Sequence, residues 1–214
     1  MNLDKKTVTY KSSNSYTTLN NLTKKTVNIW VVFHGIGYLS HYFLKFFKEL
    51  NPIENYIIAP QAPSKYYLNG EYKYVGASWL TKEDTKLEFF NILNYVDTVF
   101  DAEKIPSDKN LILFGFSQGV SIVTRYLAKR KFAFNTLILY AGTIPNELTI
   151  KDFEFINHQN SIVKIIYGDS DDYLTENRRK AEKSKIDSLF KNKAEIIIFK
   201  GGHEVKPKLL KQFE

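Results

Sequence analysis

Residues 111–119 have the sequence LILFGFSQG, in which four apolar residues lead directly into a G-x-S-x-G pattern. A continuous apolar run before such a pattern is typical of a buried strand that turns sharply into a helix. The stretch from Val120 to Lys129 that follows has the pattern of that helix. The two glycines leave room for a turn that exposes the hydroxyl of Ser117. We therefore predict a strand, a nucleophile elbow at Ser117 and a helix that begins beside it.

Five other short apolar runs resemble the one before Ser117. They are rich in Ile and Val and lack polar alternation, which is typical of strands covered on both faces of a sheet. The runs are Ile29–Phe33, Tyr56–Ala59, Leu137–Tyr140, Ile162–Tyr167 and Ile196–Phe199. The segments between them are long enough for crossover helices. The sequence thus predicts an α/β fold, with a mostly parallel central sheet flanked by helices on both faces.

Two local patterns refine this prediction. Thr81 and Asp84 resemble a capping box at the start of a helix. The apolar residues that follow at helical spacing, and that we expect to face the sheet, are Phe89, Leu93, Val96 and Phe100. Near the N-terminus, alternation of apolar and polar residues over Thr7–Ser12 predicts a half-exposed edge strand.

Length and composition indicate one globular domain. With 214 residues, 43% hydrophobic and 25% charged, the chain is expected to form a single domain over residues 1–214 without a separate lid domain. The 30 basic and 23 acidic residues leave a net charge of +7, too evenly spread to indicate a nucleic-acid groove. There are no cysteines, which excludes a disulfide framework, a thiolate nucleophile and a Cys-based zinc site.

The sequence also bears on location and partners. It has no run of 18 apolar residues, and its first ten residues lack the apolar core of a signal peptide. We expect a cytoplasmic protein, monomeric or homodimeric, with no integral membrane association and no nucleic-acid partner. Two basic clusters, at 129–131 and 178–180, leave contact with anionic lipid or nucleic acid as an alternative, and solvated helix faces are the simpler explanation.

A serine hydroxyl needs a base to become a nucleophile, and the chain has four histidines. His203 follows the last apolar run, in the sequence GGHE at 201–204, where a loop at the strand end would bring it toward Ser117. His34 ends the first run and is expected to shape a turn, His41 lies in an aromatic helix, and His158 lies in a polar connection. We predict that His203 is the base.

Three aspartates follow the run that ends at Tyr167, in the sequence GDSDD at 168–172. An acid that orients the imidazole is expected at this edge of the sheet. We select Asp171 because it stands three residues after Gly168, far enough around the turn to face the histidine loop. Its neighbours are expected to cap the next helix, and the cluster leaves a divalent cation as an alternative. The chain order Ser117, Asp171, His203 is that of α/β-hydrolases.

Backbone donors are needed to hold negative charge on a bound carbonyl oxygen. The sequence FHGIG at 33–37 ends the first strand with two glycines that let N–H groups turn inward. We predict that the N–H groups of Ile36 and Gln118 form this oxyanion hole, the latter at the positive end of the helix after Ser117. Neither a metal nor an organic cofactor is required for this chemistry.

Six motifs together resemble the phospholipase/carboxylesterase family, which includes bacterial carboxylesterases, lysophospholipases and acyl-protein thioesterases. They are HGIG at 34–37, APQAP at 59–63, LNG at 68–70 leading to SW at 78–79, GFSQG at 115–119, GDSD at 168–171 and GGHE at 201–204. The similarity spans about residue 28 to the C-terminus. It implies a Ser117, Asp171, His203 triad, oxyanion amides at Ile36 and Gln118, and hydrolysis of a small-molecule ester or thioester through an acyl-enzyme.

Three departures from the family pattern surround the expected pocket and leave the triad intact. Tyr38 stands where an acidic residue often follows the HGxG turn. Leu80 follows Trp79 where the family commonly has Phe and then Asp, and the segment DYL at 172–174 lacks the usual Pro and Val. The resemblance therefore predicts the catalytic residues more firmly than it predicts the range of substrates.

The substrate pocket is expected on the long connection after Pro60 and in the early helix. The candidates on the connection are Tyr66, Tyr67, Leu68 and Trp79, and those in the helix are Tyr42, Phe43 and Phe46, most of which are expected to pack in the core. Because the chain has little room for a lid domain, we expect an open site suited to short or medium acyl groups. Two other functions are left open: peptide or amide cleavage by the same triad, and a non-catalytic binding module that keeps the fold.

Overall fold

The computed structural model describes residues 3–214 and has a seven-stranded sheet at its centre. In chain order the strands are β1 (Tyr16–Leu19), β2 (Asn28–Phe33), β3 (Asn55–Pro60), β4 (Ser64–Tyr67), β5 (Val75–Ser78), β6 (Asn110–Phe116), β7 (Thr136–Tyr140), β8 (Ile162–Gly168) and β9 (Ala194–Phe199). The central sheet has the order β1-β3-β2-β6-β7-β8-β9, and only the pairing of β1 with β3 is antiparallel. Strands β4 and β5 form a separate hairpin.

Helices cover both faces of this sheet. The α-helices are α1 (Ser40–Phe43), α2 (Thr85–Glu103), α3 (Gln118–Arg130), α4 (Ile150–Phe153), α5 (Glu176–Leu189) and α6 (Pro207–Leu210), with short 3-10 helices at Leu44–Phe47, Leu68–Gly70 and Lys211–Phe213. Because side chains alternate along a strand, Val31 of β2 belongs to the core cluster that includes residues of α2, α3 and α5, whereas Trp30 belongs to the cluster on the other face, with residues of α1, α6 and the first 3-10 helix. Both faces are apolar, which explains the runs without polar alternation.

The six apolar runs all form strands of the central sheet, so the predicted α/β architecture is confirmed. The predicted edge strand at Thr7–Ser12 is wrong, because those residues have no regular structure. The edge strand is β1, a few residues later, where the side-chain amide of Asn14 donates to the carbonyl of Gln61 and aligns the chain beside β3. Local alternation does not report which segment can reach the free edge of β3, and this is why the prediction failed.

The helix after Thr81 begins later than the capping box predicts. Helix α2 starts at Thr85, and Asp84 before it has left-handed backbone angles, with no capping bond from its side chain. Thr81 instead accepts a hydrogen bond from the N–H of Glu83 (3.2 Å) within a local turn. The face of α2 that packs on the sheet is rotated by about one residue from the predicted face of Phe89, Leu93, Val96 and Phe100. Its buried residues are Ile92, Leu93, Val96 and Val99, while Phe89 and Phe100 are half-buried at its margins.

The connection from β3 to α2 forms the β4–β5 hairpin, which the sequence patterns did not predict. It joins the main body through the N–H of Gly37, which donates to the carbonyl of Ala77 (2.9 Å). A side chain at Gly76 would come within 2.6 Å of the Gly37 carbonyl oxygen, so the two segments are in close backbone contact.

Within the described residues, no helix combines the length and the apolar character needed to cross a membrane.

Candidate active site

The turn between β6 and α3 holds Ser117 in an uncommon conformation. Its backbone angles, φ 52° and ψ −117°, lie where side chains are rarely tolerated, so the surrounding structure must hold them in place. A Cβ at Gly115 would lie 2.6 Å from the carbonyl oxygen of Gly119, and one at Gly119 would lie 2.0 Å from that of Phe33. Both positions therefore require glycine, as the G-x-S-x-G pattern predicts.

A third glycine supports the turn from the next strand and was not singled out in the sequence. A Cβ at Gly142 would lie 2.4 Å from the carbonyl oxygen of Ser117. The N–H of Ser117 also donates to the carbonyl of Tyr140 (2.9 Å) at the end of β7. The available signal was the position of Gly142, two residues beyond an apolar run. The turn is thus confined by β7 as well as by its own glycines.

Ser117, His203 and Asp171 lie in mutual hydrogen-bond contact, although 54 residues or more separate the serine from the other two. The Oγ of Ser117 lies 2.9 Å from Nε2 of His203, and Nδ1 of His203 lies 2.8 Å from Oδ2 of Asp171. The carboxylate is fully buried, while the imidazole keeps some exposure to solvent. In the neutral tautomer with the proton on Nδ1, the hydroxyl donates to Nε2 and Nδ1–H donates to the carboxylate.

The loops that hold the acid and the histidine are bonded to each other. Oδ1 of Asp169 accepts hydrogen bonds from the N–H of Gly201 (3.0 Å) and the hydroxyl of Ser170 (2.9 Å). These bonds, with the Gly201 bond the stronger, hold the pKa of Asp169 below its ordinary value. A Cβ at Gly168 would come within 2.1 Å of the Gly201 carbonyl oxygen. Asp169, one of the three aspartates weighed above, thus joins the ends of β8 and β9.

The predicted oxyanion amides lie beside this group. Within residues 3–214, the N–H groups of Ile36 and Gln118 have no hydrogen-bond acceptor. A Cβ on Gly35 would lie 3.1 Å from the Cβ of Ser117, so the loop that contains Ile36 touches the serine turn. Two free amides next to a hydroxyl are the donors that a developing oxyanion needs.

His34 is a structural residue of this loop, in agreement with its predicted role in a turn. Its Nε2 accepts from the N–H of Ala62 (3.1 Å), so Nδ1 has the proton and donates to the carbonyl of Gly35 (2.8 Å). The side chain is fully buried, and burial lowers its pKa from 6.5 to about 4. His34 is therefore neutral near pH 7 and joins residues 35–37, which we call the oxyanion loop after their predicted role, to the segment after β3.

The side chain of Gln118 has a second, structural contact. Its Oε1 accepts from the N–H of Trp79 (2.8 Å), and its Nε2 donates to the carbonyl of Leu80 (2.7 Å). Trp79 is fully buried, and its indole N–H donates to the carbonyl of His34 (2.9 Å). Trp79 therefore supports the oxyanion loop from beneath and does not line the surface of a pocket, which departs from its predicted place.

The other pocket candidates divide by exposure. Tyr66, Tyr67 and Tyr42 are exposed and Leu68 is half-buried, whereas Phe43 is fully buried in the core. The described contacts place the hairpin against the oxyanion loop, because the Leu68 side chain and the Tyr66 hydroxyl lie within 4 Å of the position of a Cβ on Gly37. Phe46 is half-buried and packs against the core. Tyr66 and Leu68 are thus the candidates that adjoin the loop at 35–37.

One aromatic ring beside the triad was noted in the sequence only as a departure from the family pattern. Tyr173 packs on the imidazole of His203 with ring centroids 4.7 Å apart, and Phe116 packs on it at 5.1 Å.

Among residues 3–214, no three His, Asp or Glu side chains meet in an arrangement that could hold a metal ion.

Comparison with known proteins agrees with this architecture. The sequence profile of the Phospholipase/Carboxylesterase family matches residues 14–214. Acyl-protein thioesterase 2 of Zea mays is similar in structure, with a TM-score of 0.68 at 16% identity over 94% of this chain and 96% of that one. A phospholipase/carboxylesterase from Dyadobacter fermentans gives 0.65 at 20% identity over 95% and 97%.

A carboxylesterase from Bacillus cereus is also similar, with a TM-score of 0.63 at 13% identity over 94% of this chain and 91% of that one. None of the curated proteins matches the sequence. At these identities the solved structures support the fold, whereas the family profile covers nearly the whole chain. The chain therefore belongs to the phospholipase/carboxylesterase family of α/β-hydrolases.

Proposed function

We propose that this protein is a serine hydrolase that cleaves carboxylic esters or thioesters of short to medium acyl chains through an acyl-enzyme. The observation that supports it most directly is the continuous contact from Ser117 through His203 to Asp171, with distances of 2.9 and 2.8 Å. Membership of a hydrolase family agrees with this chemistry. We further propose that residues 1–214 act as one catalytic domain without a cofactor.

In the proposed mechanism, His203 removes the proton of Ser117 as the oxygen attacks the substrate carbonyl. Asp171 stabilises the imidazolium that forms and keeps Nδ1 protonated. The negative charge on the former carbonyl oxygen is held by the N–H groups of Ile36 and Gln118, which have no competing acceptor within residues 3–214. His203 then gives its proton to the departing alcohol or thiol. A water molecule then gives a proton to His203 and attacks the carbonyl of the acyl-enzyme. The bond to the Ser117 oxygen breaks, His203 returns the proton to that oxygen, and the acid is released.

Support for short to medium acyl chains comes from the surroundings of the oxyanion loop. The connection after β3 forms a short hairpin whose Tyr66 and Tyr67 side chains are exposed, and Ile36 is exposed beside it. These residues would contact a few carbons of an acyl group without enclosing a long chain.

The first test is covalent labelling of the serine by a fluorophosphonate probe. We expect rapid labelling of the wild-type protein and none of Ser117→Ala, because only a serine activated by a base attacks phosphorus quickly. Thr124→Ala is a suitable control, since that hydroxyl is buried in α3 and bonded to the carbonyl of Val120. Labelling that survives in Ser117→Ala would contradict the proposed nucleophile.

A substrate series separates the remaining possibilities. p-Nitrophenyl esters from acetate to palmitate, matched thioesters and aminoacyl amides should be compared by kcat/KM. We expect the highest values for esters or thioesters with acyl chains of roughly two to eight carbons. A maximum at the longest chains would contradict the acyl range, and faster cleavage of amides would favour a peptidase or amidase. No turnover with no labelling would favour a non-catalytic binding module.

A further inference from the structure

Two aromatic rings pack on the imidazole of His203, and they differ in access to solvent. Phe116 is 2% exposed and belongs to the core, whereas Tyr173 is 65% exposed. The Tyr173 ring lies 4.7 Å from the imidazole at an interplanar angle of 56°. An aromatic ring that touches the base of the triad and still presents most of its surface to solvent is available to a ligand.

The backbone holds this ring in place from two sides. The N–H of Tyr173 donates to Oδ1 of Asp171 (2.9 Å), the carboxylate whose other oxygen accepts from His203. A guanidinium N–H of Arg178 donates to the carbonyl of Tyr173 (2.9 Å). The N–H of Leu174 donates to the carbonyl of Asp171 (3.0 Å), which closes the turn. The ring is therefore positioned by the same residue that orients the imidazole, and binding on it requires little further ordering of the backbone.

The chemistry of acylation defines which part of a substrate reaches this ring. The proton that His203 takes from Ser117 must pass to the leaving oxygen or sulfur, so that atom lies within hydrogen-bond reach of Nε2. The carbonyl oxygen points instead toward the amides of Ile36 and Gln118. Groups attached to the leaving atom thus extend past the imidazole, and the exposed ring of Tyr173 packs against that imidazole.

We propose that Tyr173 binds the leaving group and that the enzyme prefers esters whose alcohol has an aromatic ring. This inference rests on the proposed function and specifies its leaving-group side. An aromatic ring stacks on, or packs edge-to-face against, the exposed tyrosine, as aromatic pairs do in protein cores and interfaces. Tyr173 is a specificity residue in this proposal, and it takes no part in proton transfer.

Benzyl acetate and ethyl acetate provide the test, because they form the same acetyl-enzyme and their alcohols are of similar acidity. Values of kcat/KM are measured by titration of released acetic acid. We expect the benzyl-to-ethyl ratio to be about tenfold in the wild-type protein and to fall about three- to tenfold in Tyr173→Ala. Tyr173→Phe should keep the wild-type ratio, since the ring remains. Tyr10→Ala, which removes an exposed tyrosine of the N-terminal segment, should also keep it.

The outcomes separate this inference from the function on which it rests. An unchanged ratio in Tyr173→Ala would overturn it, either with both kcat/KM values at the wild-type level or with both reduced equally, because a ring that only holds His203 in place affects every substrate alike. In that second case fluorophosphonate labelling would slow as well, whereas the proposal expects labelling by a probe with a small leaving group to proceed at the wild-type rate. Absence of both labelling and hydrolysis in the wild-type protein would instead refute the proposed function.

Discussion

Two regions border the oxyanion loop at 35–37, and they are built in opposite ways. On one side lies the turn at Ser117, where glycines at 115 and 119 and the end of β7 leave no free space. On the other side lies the β4–β5 hairpin, whose tyrosines are exposed, and two of them, Tyr67 and Tyr72, pack on each other (5.0 Å). The proposed function assigns the chemistry to the confined region and recognition of the acyl group to the exposed one.

This difference has an energetic consequence. In the turn, each residue is determined by several neighbours at van der Waals distance, so substitution there is expected to cost stability or catalysis. In the hairpin, exposed side chains have few contacts within the fold, so substitution is expected to change binding with little change in the free energy of unfolding. The following predictions test that division, from the largest expected effect to the smallest.

The largest effect is expected for Asp171→Asn. An amide at this position can donate to Nδ1 of His203, which leaves Nε2 with the proton and unable to accept the one from Ser117. We expect kcat to fall about 10³- to 10⁴-fold at pH 7, measured with p-nitrophenyl butyrate, while the far-ultraviolet circular dichroism spectrum is unchanged.

Asp172→Asn is the matched control, because this neighbouring carboxylate is exposed and does not touch the imidazole. It should retain wild-type kcat within about twofold. If instead Asp172→Asn lost activity and Asp171→Asn did not, the choice among the three aspartates would be wrong.

The confined region was the more predictable of the two. Its strands are continuous apolar runs because both sheet faces are covered, and the glycines at 115 and 119 are required by backbone atoms that lie 2.0–2.6 Å from any added Cβ. Chain order and the position of His203 beyond the last strand then suggest which residues meet, since parallel strands end at one edge of the sheet. The structure brings these residues together, and their catalytic roles await the tests above.

The less predictable features depend on contacts distant in sequence. Alternation at Thr7–Ser12 is as strand-like as β1, but β1 alone lies along the free edge of β3. Trp79 was expected in the pocket, and its burial results from bonds to His34 and Gln118 that no local pattern encodes. Strand β4 of the hairpin has no strong apolar period, because all four of its residues are exposed.

A second prediction concerns the space in the confined turn. Gly119→Ala places a Cβ 2.0 Å from the carbonyl oxygen of Phe33, a contact that requires the backbone of α3 or β2 to move. We expect the free energy of unfolding to fall by about 3 kcal/mol or more in urea denaturation at 25 °C.

Gly70→Ala at the tip of the hairpin provides the comparison. Gly70 has a left-handed φ of 69°, but no atom lies within 4 Å of an added Cβ. The expected loss is only the backbone strain, about 1 kcal/mol. Equal losses in the two variants would mean that the turn relaxes easily and that it is no more confined than the hairpin.

A third prediction follows from the buried His34. Its pKa is lowered to about 4 by burial, while the unfolded chain has the ordinary value of 6.5. Between these values the unfolded state binds more protons than the folded state, so the free energy of unfolding decreases as the pH falls from 6.5 toward 4. At about 1.4 kcal/mol per pH unit, the contribution of this group to that decrease is about 3 kcal/mol.

The measurement is urea denaturation of the wild-type protein and of His34→Asn at several pH values from 7 to 4. Carboxylates affect both proteins alike, so the difference between the two pH profiles isolates the imidazole. His41→Asn, at an exposed position in α1, should follow the wild-type profile. If the free energy of unfolding of His34→Asn fell with pH as steeply as that of the wild-type protein, protonation of His34 would not destabilise the folded state, and the prediction would be wrong.

The smallest change in stability is expected in the hairpin. Tyr66 is exposed, and its hydroxyl lies within 4 Å of the position of a Cβ on Gly37, next to the predicted oxyanion donor Ile36. We expect Tyr66→Ala to raise KM for p-nitrophenyl butyrate about three- to tenfold, because an aromatic contact with the acyl chain is lost. The free energy of unfolding should change by no more than about 0.5 kcal/mol. Tyr72→Ala, farther along the hairpin and 88% exposed, should leave KM unchanged.

This pair of variants addresses the division between the two regions directly. If KM rises in Tyr66→Ala but not in Tyr72→Ala, and stability is unchanged in both, the exposed surface of Tyr66 contacts the substrate. If Tyr66→Ala instead lowered the urea concentration at which the protein unfolds and left KM unchanged, the role of the hairpin would be structural. It would then stabilise the oxyanion loop through the hydrogen bond between Gly37 and Ala77. The acyl group would then have to bind elsewhere, and the exposed side chain of Ile36, in the loop that touches the serine turn, would be the next candidate.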